Sequence, residues 1–298
     1  MRIDKLAGSL FGAGAAALFA GAATAQENIG VPRPAQMGFQ PAATDLAQDL
    51  QWLDGFILYI IAAITIFVTA LLVIILIRFR ASANPTPARF THNSVIEVIW
   101  TVVPIIILVI IAVPSLNLLH KQVNVPETDM TIKATGNQWY WSYSYPDEGL
   151  EFDAFMIGAG MPSFDAAMAD EDVRANMEKY NVTRETWLLQ TDTEIVIPVG
   201  KKIRMQVTAG DVIHSWTIPA FGVKIDGVPG RLNETWFQVD MPGRYYGQCS
   251  ELCGKDHSYM PIVVRALPQD EYDAWLEQAK ELYASNPAPR RVQVASAE

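Results

Sequence analysis

A two-helix transmembrane hairpin followed by an all-β barrel domain is the fold the sequence predicts, and three observations predict it. Two long apolar runs, 55–77 and 98–119, carry no charged residue. From Met130 onward the apolar residues recur at period two, the signature of half-buried strands. The chain of 298 residues is 50% hydrophobic and only 18% charged, and the apolar excess lies almost entirely before residue 120. That composition excludes a disordered chain, a collagen-like repeat and a disulfide-dense scaffold.

Residues 1–25 begin with Arg2 and Lys5, continue through an Ala/Leu/Phe/Gly-rich stretch and end in Ala23-Thr24-Ala25, which reads as a secretory signal cleaved after Ala25. Residues 26–54 then form an exported N-terminal segment rich in Pro, Gly and Gln. Each of the helices 55–77 and 98–119 exceeds the roughly 20 residues needed to cross about 30 Å of hydrocarbon. The loop 78–97 between them holds Arg78, Arg80 and Arg89 with no acid before Glu97, whereas Asp45, Asp49 and Asp54 precede the first span. By the positive-inside rule that loop is cytoplasmic and both ends of the chain lie outside.

Residues 120–267 form the exported domain. Strands are expected at Met130–Thr135, Gln138–Tyr145, Glu194–Val199, Lys202–Thr208, Glu234–Val239, Arg244–Gln248 and Pro261–Ala266, separated by Gly, Pro, Asn and Asp turns. Residues 163–180, behind a Ser163 N-cap, read as a helical surface excursion without a function of its own. The segment 268–298 supplies a terminal amphipathic helix, with Tyr272, Trp275, Leu276 and Ala279 on one face, and a tail.

The charge pattern narrows the partners. The formal net charge is −10, and the residues after 119 alone hold 16 Lys and Arg against 26 Asp and Glu. A nucleic-acid partner is excluded on that balance, and a basic protein partner fits it.

The chemistry is concentrated between Gly247 and Met260, where Cys249, Cys253, His257 and Met260 crowd one short segment and His214 waits upstream. Two cysteines in an exported domain suggest a disulfide by default, yet a bridge between residues four apart would constrain little of the unfolded chain. Thiolate, imidazole and thioether together favour copper, and a distant His followed by a Cys/His/Met loop is how a cupredoxin-like barrel builds a copper site. One thiolate suffices for a mononuclear blue site; the second lets two coppers share both sulfurs. Zinc rarely recruits Met, and Cys-x3-Cys matches its usual spacing poorly. The residues by themselves leave copper, zinc and a disulfide open.

Two spans, then Gln138-Trp139-Tyr140-Trp141-Ser142-Tyr143, then His214, then Tyr246-Gly247-Gln248-Cys249-Ser250-Glu251-Leu252-Cys253, resemble subunit II of cytochrome c oxidase in its alphaproteobacterial and mitochondrial branch. The resemblance covers roughly residues 45–280 and implies a binuclear CuA centre on His214, Cys249, Cys253, His257 and Met260, completed by the backbone carbonyl of Glu251. It implies that the Glu251 side chain turns to a magnesium or manganese ion shared with subunit I. Trp139 matches the family's electron-entry tryptophan, Glu97 the glutamate at the mouth of its K proton pathway, and Asp153, Asp192 and Asp211 its acids for docking cytochrome c. Ser144 stands where relatives carry a further docking acid.

The implied partners are subunit I with its hemes and CuB, subunit III, cytochrome c and the lipid bilayer. The implied location is the bacterial inner membrane, with the copper domain on the periplasmic side. Trp141 and Tyr143 are expected to pack in the core, and His92 and His120 to rest at span ends. The missing copper ligands of a quinol oxidase subunit, the length and repeats of nitrous oxide reductase, and the exposed ligands of a copper chaperone all argue against those three alternatives.

Overall fold

The computed structural model describes residues 30–86 and 88–283, so the signal segment 1–25 and most of the C-terminal tail lie outside the described residues. It divides into a helical unit, 45–124, and a β unit formed by the rest.

In the helical unit, α1 spans Asp45–Arg78 and α2 spans Ser94–Val123. Both outrun the uncharged stretches, because their polar ends suit helix termini. Asp45 stands in the first turn and Arg78 in the last turn of α1, each complementing the helix dipole. At the start of α2, the Asn93 side chain accepts from the backbone N–H groups of Val95 and Ile96 at 3.1 and 3.2 Å. Pro104 and Pro114 lie inside α2, as membrane helices tolerate. Lys121 Nζ meets Asp49 Oδ2 at 2.6 Å and joins the two helices near one end. Along their middles, Ile66, Phe67, Leu72, Ile105, Leu108 and Val109 are exposed, an apolar surface suited to lipid.

The β unit is a cupredoxin-like sandwich. Its strands are β1 Met130–Asn137, β2 Tyr140–Tyr145, β3 Leu150–Ala154, β4 Ile195–Pro198, β5 Lys202–Ala209, β6 His214–Ile218, β7 Val223–Gly227, β8 Asn233–Gln238, β9 Gly243–Gln248 and β10 Pro261–Leu267. They form a five-stranded sheet in the order β3-β2-β1-β5-β8, a three-stranded sheet β4-β10-β9 and the hairpin β6-β7. Strands β1 and β5 are parallel, as are β4 and β10.

Period-two alternation produces the core. Trp141, Tyr143 and Tyr145 of β2 are buried while Tyr140, Ser142 and Ser144 between them are not, and β5 repeats the pattern with Ile203, Met205 and Val207. Trp216 stacks on Phe237 with ring centroids 5.9 Å apart, and Phe221 bridges Phe237 and Tyr245 at 4.9 Å from each. Each such side chain removed from water contributes about 1.5–3 kcal/mol.

Three strands, β3, β6 and β7, were not expected from the sequence. The strand expected from Gln138 begins at Tyr140, since residues 138 and 139 form the turn out of β1. The single helical excursion is two helices, α3 Phe164–Ala169 and α4 Glu171–Lys179. Ser163 caps the first, and Asp170 both ends α3 and caps α4 through its side chain, accepting from Val173 N at 3.0 Å. The terminal helix α5, Gln269–Tyr283, buries Tyr272 and Ala279 and packs Trp275 beside Tyr145.

Candidate metal centre

The loop 249–260 joins β9 to β10, whose pairing ends at Gln248 opposite Pro261. The N–H of Cys249 donates to the carbonyl of Met260 at 3.3 Å, which brings the first and last residues of the loop together. The N–H of Ser250 donates to Ser215 O at 3.0 Å, tying the loop to β6, and His214 opens that strand. From the other sheet, Trp141 Nε1 donates to Met260 O at 3.3 Å.

The donors converge as a result. Cys249 Sγ lies 3.8 Å from His214 Nδ1, 3.3 Å from Glu251 O and 4.0 Å from Cys253 Sγ. Cys253 Sγ in turn lies 3.4 Å from His257 Nδ1 and 3.5 Å from Met260 Sδ. The two thiols are unbridged. His214, Cys249, Cys253 and Met260 are buried. His257 is half-buried in a short 3-10 turn, His257–Tyr259, and the Glu251 side chain is exposed.

The two thiols differ in their electrostatics. Burial opposes a thiolate at Cys249, but the His214 ring beside it holds its pKa below the ordinary thiol value. Burial and then the neighbouring Cys249 push Cys253 up to about 12. A cation beside the two adjacent sulfurs would favour the charged form of both. The donor atoms of His214, Cys249 and Cys253 lie within 4.8 Å of one another, and with His257 and Met260 beside Cys253 and the Glu251 carbonyl beside Cys249 they make a soft donor set that fits copper.

Asp211 fixes the His214 ring. Its Oδ1 meets His214 Nε2 at 2.9 Å and accepts from Val212 N at 2.6 Å, while Oδ2 accepts from Gln138 N at 2.7 Å. Partial burial works against its charge, yet these bonds hold the carboxyl below its usual pKa. Burial likewise opposes a charged His214, and its contacts with Cys249 and Asp211 raise its pKa on balance. A carboxylate on the far nitrogen of a metal-binding imidazole is a common orienting device. The sequence shows the pair as Asp-x-x-His, whereas the family resemblance implies only a docking role for Asp211.

Gly136 was missed altogether. A Cβ built on it would lie 2.7 Å from Cγ and Cδ2 of His214, so only glycine leaves room for the ring. The available signal was an isolated glycine inside a strand, which often marks close approach of another group.

Trp139 is half-buried, and its Nε1 donates to the carbonyl of Cys253 at 3.1 Å. Gln138 Nε2 donates to the same oxygen at 2.9 Å, and Lys255 Nζ stands 5.6 Å from the Trp139 ring centroid. Trp141 is buried and edge-on to His214. Asp153 and Asp192 stand at the β3 edge: Asp153 accepts from Ser142 Oγ at 2.7 Å, and Asp192 accepts from Phe155 N at 2.8 Å. Ser144 has Lys133 as its partner across one strand boundary and the exposed Glu151 across the other. In the helical unit Glu97 occupies the first turn of α2, its N–H donating to Asn93 O, while His92 is exposed just before that helix and His120 is exposed in its last turn.

Comparison with known proteins gives one consistent result. The family model of the cytochrome c oxidase subunit II periplasmic domain matches residues 130–267, and that of its transmembrane domain matches residues 32–118. A cytochrome c oxidase subunit 2 of Cereibacter sphaeroides is 52% identical over 272 residues, covering 90% of this chain and 89% of the relative. One from Drosophila subobscura is 43% identical over 244 residues, covering 81% and 96%. Among solved structures, the periplasmic domain of subunit II of cytochrome oxidase of Bradyrhizobium japonicum is 50% identical, covering 54% of this chain and all of that one, with a TM-score of 0.44.

Proposed function

Since the chain belongs to the cytochrome c oxidase subunit II family, we propose that it is the electron-entry subunit of a respiratory oxidase. It takes electrons from cytochrome c and delivers them to heme a of subunit I, where oxygen is reduced to water and protons are pumped. The observation that carries this reading is the buried cluster of His214 with both thiols, flanked at Cys253 by His257 and Met260. His214, Cys249, Cys253, His257 and Met260, with the carbonyl of Glu251, would hold a binuclear copper centre. Copper held by these residues would supply a one-electron store.

The chain's own residues supply the rest. Trp139 offers a ring reaching the surface at one side and bonded to a ligand's backbone at the other, which supports its role as the entry point. The exposed carboxylate of Glu251 is available to a magnesium or manganese ion shared with subunit I. Asp153, Asp192 and Asp211, on a domain of strongly negative charge, steer a basic cytochrome. Glu97, on the side of the arginine-bearing loop, collects protons for subunit I. The helices sit in the inner membrane and the copper domain on its periplasmic face, with subunit III completing the complex.

Replacing Cys249 with Ser tests the centre. The wild-type subunit is expected to hold two coppers and to give a mixed-valence EPR signal when partly oxidised, and Cys249→Ser to lose both. A wild-type subunit holding a single copper, zinc or a Cys249–Cys253 disulfide would defeat the proposal.

A further inference from the structure

A cavity of about 370 Å³ opens on the β4-β10-β9 sheet, between it and the helical excursion. Its cations are Lys179 at the end of α4, Arg244 of β9 and Arg265 of β10, and its one carboxylate is Glu194. Arg244 and Arg265 are direct partners across the β9–β10 ladder, a placement of like charges that costs stability. Glu194 Oε1 accepts from Arg244 Nε at 3.0 Å and from Gln190 Nε2 at 3.4 Å. Arg265 has no anionic partner among the described residues. Glu194 Oε2 is buried without a hydrogen-bond partner, in a side chain only 17% exposed.

The pocket therefore asks for two things at once: anionic oxygens for Arg265 and Lys179, and a hydroxyl donor for Glu194 Oε2. Tyr180 and Tyr246 line the same cavity and offer aromatic surface beside the charges. It lies about 13 Å along the strands from the copper loop, four residues at about 3.3 Å each, so it is separate from the metal centre. Its volume is that of a small-molecule site. We propose that this cavity binds a phosphate group carried by a hydroxyl-bearing molecule, the phosphate against Arg265 and Lys179 and a hydroxyl on Glu194. Guanidinium groups favour phosphate through paired, charge-assisted hydrogen bonds.

The test is calorimetric titration of the assembled oxidase with ribose 5-phosphate and, separately, with dihexanoyl phosphatidylglycerol. Saturable binding weakened about tenfold by Arg265→Gln and by Lys179→Gln is expected, the loss of one charge-assisted contact each. Binding of the sugar phosphate assigns a soluble ligand, and binding of the lipid alone assigns a headgroup; either upholds a phosphate pocket. Copper content and turnover without ligand should be unchanged in both variants. Lys179 is exposed, so Lys179→Gln decides the matter if Arg265→Gln fails to fold. The proposal is overturned if neither probe binds up to about 10 mM, or if binding ignores both substitutions.

Discussion

Gly136→Ala reaches the metal centre without touching a ligand. The new methyl would sit 2.7 Å from Cγ and Cδ2 of His214 and 2.8 Å from its Cβ. Carbon atoms in comfortable contact stand about 3.5–4.0 Å apart, so the gap must open by about 1 Å. The glycine itself cannot retreat, because it is paired to Trp141 on one side and to Ala209 on the other, in mid-sheet. The ring must give, and it is fully buried between Asp211 and Cys249. Overpacking of this kind costs about 1–3 kcal/mol of stability, which leaves the domain folded. A metal ligand tolerates only about 0.2 Å of displacement, so the larger effect is on the metal, with affinity reduced by about 10–100-fold. Copper retained after dialysis against a graded chelator series, read beside a thermal melt, separates the two effects. A variant that keeps its full copper with an unchanged EPR spectrum would show that the ring has room, and would refute the reasoning.

Three further substitutions address the roles outside the ligand set. Trp139→Ala removes the ring bonded to Cys253 O and should slow single-turnover electron entry from cytochrome c by orders of magnitude, with the copper spectrum nearly intact; unchanged kinetics would return Trp139 to a packing role. Asp192→Asn keeps the oxygen that accepts from Phe155 N while removing the charge, so it isolates docking: affinity for cytochrome c should fall a few-fold and its salt dependence should flatten, and identical salt curves would rule the residue out. Glu97→Gln should lower steady-state turnover, most visibly in steps that load protons during reduction of the active site, with copper content and electron entry untouched; wild-type rates across the pH range would leave Glu97 a helix-start charge.

Where one periodicity dominated, the sequence was easy to read. Both apolar runs became helices, and β2 and β5 alternate as their residues dictate. The strands that escaped notice lacked that signal. In β6, His214, Ser215, Trp216 and Ile218 are all buried, so both faces are covered and polarity does not alternate. Strand β3 carries Glu151 and Asp153, residues that disfavour strands, and is held by pairing to β2. The helical excursion breaks where Asp170 competes for the backbone, a preference of short polar side chains that helical density alone conceals. At the metal centre the donors were legible by type and spacing. Gly136 was not, because it acts across the sheet on a residue distant in sequence, and the inward turn of Asp211 was not, because the three-residue spacing to His214 does not say which way the carboxylate faces.

The loop carrying the sulfurs is fastened from three directions before any metal arrives. Its ends meet at Cys249 N and Met260 O, its second residue is bonded to β6, and the carbonyl of Cys253 takes two donors from the turn after β1. Asp211 belongs to the same arrangement, since one carboxylate holds both the backbone of Gln138 and the ring of His214. The turn that presents Trp139 is thus locked to the imidazole and to the loop by separate bonds. Displacing it would disturb the donors, and displacing the donors would tilt the indole. A centre that must exchange an electron with little rearrangement benefits from ligands set by the scaffold. The same bonds that hold these donor side chains keep the indole in contact with Cys253, so the proposed centre and the proposed route from the surface rest on one set of hydrogen bonds.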